Sequence, residues 1–153
     1  MYNKTTIEMR KLVLSIIAVL TVLSCGKEKS ASINGTWKVT EHTITDGNVV
    51  EGGAVTEAVE IMRLYSDGTG WIYSGELEIH GDISYEHKGG KLYITPDGEE
   101  ETTELDVKTL NSSKLVLVSH YDYKGTALTA TFTFKKTDNM NKSEYLEKYG
   151  GKE

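Results

Sequence analysis

The chain has 153 residues, 17 basic against 23 acidic side chains, a formal charge of −6 and a single cysteine. That balance argues against nucleic acid, which needs clustered Lys and Arg to displace counterions, and it disfavours electrostatic adsorption to anionic lipid. One cysteine excludes an internal disulfide, so the fold must be held by packing and hydrogen bonds.

The first element in the chain is a leader. Met9-Arg10-Lys11 supplies positive charge, and residues 12–23 then run apolar, interrupted only by Ser15 and Thr21. A dozen or so apolar residues are too few for a membrane-spanning helix, which takes ~20, but they suit the core of a signal peptide. The alternatives are an uncleaved anchor or a buried helix; a buried helix would want a polar face, which this run lacks. Glu8 sits awkwardly ahead of the basic pair, which makes Met9 a second candidate for the start of translation. The string Val22-Leu23-Ser24-Cys25-Gly26 resembles the lipobox of bacterial lipoproteins. The resemblance implies removal of residues 1–24 and acylation of Cys25 on its thiol and its new amino group. Two or more acyl chains hold a protein on a membrane stably where one does so marginally. It also implies a lipid-anchored protein of the bacterial cell envelope. With Gly26 rather than Asp after the cysteine, the outer membrane is the expected address.

Residues 25–32 then form a small, polar tether. From 33 to 137 short β-type runs alternate with turn residues such as Asp46-Gly47-Asn48, Gly52-Gly53, Asp67-Gly68, Gly89-Gly90, Pro96-Asp97-Gly98 and Lys124-Gly125, each suited to reversing the chain. Eight strands are expected, over 36–45, 57–65, 69–74, 77–87, 91–95, 101–110, 114–122 and 127–136. Several alternate cleanly: Leu77, Ile79, Ile83 and Tyr85 against Glu78, His80, Asp82 and Ser84, and Leu128, Ala130, Phe132 and Phe134 against the intervening threonines. One wet face per strand marks antiparallel pairing around a single core. Asp67-Gly68 predicts a two-residue hairpin, and Gly81 allows a bulge or bend inside the fourth strand. The expectation is an all-β fold, an eight-stranded antiparallel up-and-down β-barrel, since closure removes exposed edges. In residues 138–153, Asn141 can cap a short C-terminal helix through Lys148, with Gly150 as its stop. Tyr145, Leu146 and Tyr149 give it a sticky side, to dock on the barrel wall, close an end or fray.

Gly35-Thr36-Trp37, opening the first strand directly after the tether, resembles the Gly-x-Trp signature of lipocalins. Leu64-Tyr65-Ser66-Asp67-Gly68-Thr69-Gly70 resembles the second hairpin of lipocalin-like domains in lipoproteins of Bacteroidetes. The resemblance implies a lipocalin or calycin-like barrel. In it Gly35 and Trp37 have structural roles: Trp37 plugs the closed end, with Lys135 or Lys136 as a cation–π partner.

Four histidines, His42, His80, His87 and His120, show no close pairing of the kind zinc sites use, so no metal or other cofactor is expected. Glu99, Glu100, Glu101 and Glu104 read as a solvated patch. No serine or threonine sits in a glycine-framed elbow, and no phosphate-cradling loop precedes a helix, so no catalytic residue is named and no enzyme is expected. Binding remains. Trp71, Tyr73, Tyr85, Tyr93, Phe132 and Phe134 lie on expected strands and line a small, partly polar pocket, or else fill the core. His120 and Tyr121 stand at one rim. The partners expected are the membrane, through acylated Cys25, and a small, partly apolar molecule. A filled barrel whose outer surface meets another envelope protein is the alternative.

Overall fold

The computed structural model describes residues 31–48, 50–55, 60–74 and 79–149. The leader, Cys25, most of the tether, Leu77 and the helix stop Gly150 lie outside the described residues. Among the described residues, nine strands and one helix follow in order: β1 Gly35–Thr45, β2 Val50–Ala54, β3 Ile61–Leu64, β4 Thr69–Ser74, β5 Ile79–Lys88, β6 Lys91–Pro96, β7 Thr103–Leu110, β8 Lys114–Tyr123, β9 Thr126–Thr137 and α1 Lys142–Tyr149. Every pairing is antiparallel. From β3 to β9 each strand pairs with the next, and β1 pairs with both β3 and β9, closing an eight-stranded barrel. Each ladder and both apolar clusters lie within the compact unit Ala31–Glu153. That unit therefore carries its own core and closes on itself.

The ninth strand departs from the sequence expectation. β1 pairs with β3 along residues 35–38 and with β2 along residues 41–45, so one barrel position is filled by two pieces. Gly52-Gly53, expected as a turn, lies inside β2. The reason is close approach: a Cβ on Gly52 would stand 2.2 Å from the His42 carbonyl oxygen, so glycine permits this pairing. The hairpin between β3 and β4 also differs. Ser66, Asp67 and Gly68 form the loop, closed by the Tyr65 N–H donating to the Thr69 carbonyl at 2.8 Å, a three-residue connection with its glycine at positive φ. At Gly81 the β4–β5 ladder keeps its register, Gly81 facing Ile72. The register shifts fall elsewhere, between Val39 and Glu41 in β1 and between Val107 and Thr109 in β7.

Alternation packs the interior. Trp37, Met62, Leu64, Ile72, Leu92, Ile94, Leu105, Leu115 and Leu117 are fully buried, and Phe132 and Phe134 are 2% and 1% exposed. Each such side chain contributes about 1.5–3 kcal/mol when taken out of water. A second cluster lies on the outer wall, where Ile61 and Trp71 meet Tyr145 of α1, with Tyr73 and Met140 beside them. An eight-residue helix is too short to stand alone in water, so its stability comes from this docking and from its ends. The Asn141 side chain accepts from the Glu144 N–H, and the Glu144 carboxylate accepts from the Asn141 N–H, both at 2.9 Å, a reciprocal cap. Lys142 Nζ donates to Asp82 Oδ2 at 2.8 Å, tying α1 to β5.

Candidate ligand site at the barrel mouth

The two ends of the barrel differ in chemistry. At the closed end Trp37 is completely buried, and its indole N–H donates to the Ile33 carbonyl at 2.7 Å. Lys136, not Lys135, supplies the cation: its Nζ lies 5.0 Å from the Trp37 ring centroid and donates to the Asn34 carbonyl at 2.9 Å. Gly35 precedes it for a physical reason. Its φ is +143°, and a Cβ there would stand 2.5 Å from Lys136 Cε, so a side chain would push the lysine off the tryptophan.

At the other end the β1–β2 and β8–β9 hairpins form a mouth of about 510 Å³. Ile44, Leu128, Tyr121 and Tyr123 give it apolar walls, and Thr45, Asp46 and Glu51 a polar edge. The inward parity of β8 runs through Leu115, Leu117, Ser119, Tyr121 and Tyr123, and Tyr121 faces Leu128 in the ladder. Tyr121 and Tyr123 are 39% and 57% exposed, large aromatic surface left uncovered where a concave wall could receive a guest. Lys124 Nζ stands 5.0 Å over the Tyr123 ring.

Of the pocket residues expected from the sequence, Tyr121 reaches the mouth, while Phe132 and Phe134 point inward but are packed into the floor. The others lie elsewhere. Trp71 and Tyr73 face outward, because their strand alternates with inward Ile72, and α1 covers them: Tyr73 stacks on Tyr145 at 4.7 Å and Trp71 lies 5.6 Å from it. Tyr93 also faces outward, between buried Leu92 and Ile94, in a shallow recess with Glu86 and Lys91. Tyr85 is half-buried at the closed end, its hydroxyl 2.7 Å from Asn34 Oδ1 and within reach of the Tyr65 carbonyl. Burial, seconded by the negative charge of Asp67, raises its pKa above 10.0.

His120 is likewise on the outer wall, not at the rim's inner side. Its ring lies 3.1 Å from Thr129 Oγ1 and 3.6 Å from Asp106 Oδ2. Asp106 belongs to an exposed network with Lys91, Lys108 and Glu104; the Lys108 hydrogen bond lowers the Asp106 pKa, and the Glu104 hydrogen bond raises that of Lys91. Glu99, Glu100 and Glu101 are exposed. Among the described residues no three His, Cys, Asp or Glu side chains converge as a metal would require.

Three inward polar residues were missed. His42 shares the inner face with Ile44, and Glu60 and Ser74, 5% and 2% exposed, are joined by a Ser74 Oγ to Glu60 Oε2 hydrogen bond of 3.1 Å. Glu60 was legible as the alternation partner of Met62 and Leu64. His42 was not, since its facing depends on the β1 bulge.

The family model described as a lipocalin-like domain matches residues 33–117. Among solved structures, the chain is similar to the bovine odorant binding protein deswapped triple mutant, at 17% identity over 76% of this chain and 81% of that chain. The TM-score is 0.39, a likeness too distant to carry an argument. No curated protein matches the sequence. The family match begins just before Gly35-Thr36-Trp37, covers more than half the chain and ends within β8, and on it the chain belongs to the lipocalin-like domain family.

Proposed function

We propose that this chain is a lipid-anchored lipoprotein of the bacterial envelope, held at the outer membrane through acylated Cys25, whose barrel binds a small, partly apolar molecule without covalent chemistry. The observation that carries the binding reading is the mouth, where exposed Tyr121 and Tyr123 stand over Ile44 and Leu128. A guest there loses apolar surface to the aromatic walls, while the carboxylates of Asp46 and Glu51 and the tyrosine hydroxyls fix its orientation. The anchor reading rests on the leader and the Val22-Leu23-Ser24-Cys25-Gly26 string.

Residues 26–153 incubated with envelope extract, washed and analysed by mass spectrometry should retain a small molecule, and the Tyr121→Ala/Tyr123→Ala variant should lose it. Recovery of nothing, or equal recovery by both proteins, would overturn the binding reading. The mass of the protein purified from membranes tests the anchor, because acylation adds to the Cys25 peptide and Cys25→Ser removes it.

A second reading has its own observation. The floor beneath the mouth is solid, with Leu115, Leu117, Phe132 and Phe134 at most 2% exposed. A filled barrel whose surface meets another envelope protein has the same packing, and the double tyrosine variant would then weaken capture of a protein rather than of a small molecule.

A further inference from the structure

Lys38, Lys135 and Lys114 form one lateral row across three strands. Lys38 faces Lys135 in the β1–β9 ladder, and Lys114 faces Lys135 in the β8–β9 ladder. All three are exposed and alternate with buried Trp37, Phe134 and Leu115, so the row lies on the outer wall. Like charges directly opposed across an antiparallel pair repel, and the central lysine has one on each side. Among the described residues none of the three joins an ion pair. Lys38 and Lys135 also border a surface recess of about 680 Å³ with Ser112, Ser113, Lys136 and one carboxylate, Asp138. Lys136 is committed to Trp37 and Asn34. Beyond the row the same wall continues through uncharged Thr133 and Thr131, with Glu41 opposite Thr133.

A row of self-repelling cations in an acidic protein fits an anionic partner. Its place in the fold indicates which one. The row lies at the closed end, where Ile33 and Asn34 enter the barrel from the tether. We infer that the Lys38–Lys135–Lys114 row contacts anionic lipid headgroups of the membrane to which the chain is tethered, an inference that rests on the anchor reading of Cys25. The formal charge of −8 left once residues 1–24 are removed, from 14 basic and 22 acidic side chains, does not forbid this, because carboxylates farther away than the Debye length, about 8–10 Å, are screened at physiological salt. The contact also sets an orientation. Lys114 and Tyr123 are the two ends of the ten-residue strand β8, about 30 Å apart at ~3.3 Å per residue. With the lysine row seated on the headgroups, the mouth opens toward the aqueous side.

The test uses residues 26–153, which contain the self-contained barrel and lack the acyl chains that would mask a weaker contact. Flotation is measured with phosphatidylcholine vesicles and with vesicles that also contain phosphatidylglycerol. Binding is expected only to the anionic vesicles, falling as salt rises. Each lysine near such a surface strengthens binding about fivefold, so Lys38→Gln/Lys114→Gln/Lys135→Gln should weaken it roughly a hundredfold. Misfolding does not confound this variant, since removing opposed like charges from the outer wall should leave its melting temperature equal or higher. Equal binding to both kinds of vesicle, or a triple variant that binds like the parent, would overturn the inference. So would inorganic phosphate stabilising the segment through these lysines while vesicles go unbound, because the site would then serve a free anion. An unmodified Cys25 would remove the anchor reading and leave the vesicle result standing as a separate measurement.

Discussion

The His42 imidazole stacks on the Phe132 ring inside the barrel, centroids 5.0 Å apart and planes 14° from parallel. The β1 bulge puts it there. Val39 faces Phe134, but Glu41 rather than Thr40 faces Thr133, so Thr40 is the extra residue and the side-chain parity of β1 inverts beyond it. Deleting Thr40 would remove the bulge and restore simple alternation with Glu41 still outward and His42 still inward. His42→Glu, which sets an unpaired carboxylate at the inward position beside Phe132, should destabilise the domain by about 1–3 kcal/mol, whereas Glu41→Gln on the outer face should change it little. Urea denaturation of the two variants checks it; equal midpoints would contradict the observed register.

At the closed end, Trp37→Ala should cost about 3–5 kcal/mol, the range for emptying a large aromatic site. Lys136→Met keeps the aliphatic stem but loses the cation over the ring and the bond to Asn34, for about 1–2 kcal/mol. Gly35→Ala forces a side chain into positive φ against Lys136, for about 1–3 kcal/mol. Thermal or chemical melts of the three variants should place tryptophan first, with the lysine and glycine variants close together below it.

The C-terminal helix is predicted to be a structural cover. Tyr145 is 9% exposed against Trp71 and Tyr73, so Tyr145→Ala should cost about 2 kcal/mol and let water reach the Trp71 indole. A red shift in tryptophan emission, with ligand or vesicle binding unchanged, is the expected outcome. Trp37, at the other cluster, should not contribute to the shift.

Alkaline stability should depend on Tyr85. Its pKa is raised above 10.0, chiefly by burial, so folding favours the protonated phenol. The associated stability is complete below pH 10 and is lost as pH rises from there through the folded value. Tyr85→Phe should therefore flatten the decline between neutral and alkaline pH relative to the parent, measured by urea melts at a series of pH values. Asp67 works in the opposite sense. The Thr69 hydroxyl bond lowers its pKa below 3.8, so its contribution is present above that pH and fades as pH falls through the folded value.

Legibility varied with the physics involved. Most strand positions were readable because alternation and turn chemistry are local, and Gly35-Thr36-Trp37 fell where a closed end needs a glycine and a large plug. The helix cap at Asn141 was readable for the same reason. Trp71 and Tyr73 were misread because an aromatic on a strand gives no sign of which wall it faces when both of its faces are buried. Here Ile72 fills the core on one side and α1 covers the other. Overall charge hid the lysine row, whose members are distant in sequence and adjacent only through cross-strand register.

By itself, the sequence determined that this is a β protein of one closed layer, punctuated by glycine turns, because period-two patterning and turn residues act over a few positions. Only the tertiary structure decided that the floor is filled, that the mouth belongs to Tyr121 and Tyr123, and that His42 turns inward. Each of those depends on a bulge, a register or a docked helix, and such choices are made by contacts between segments far apart in the chain.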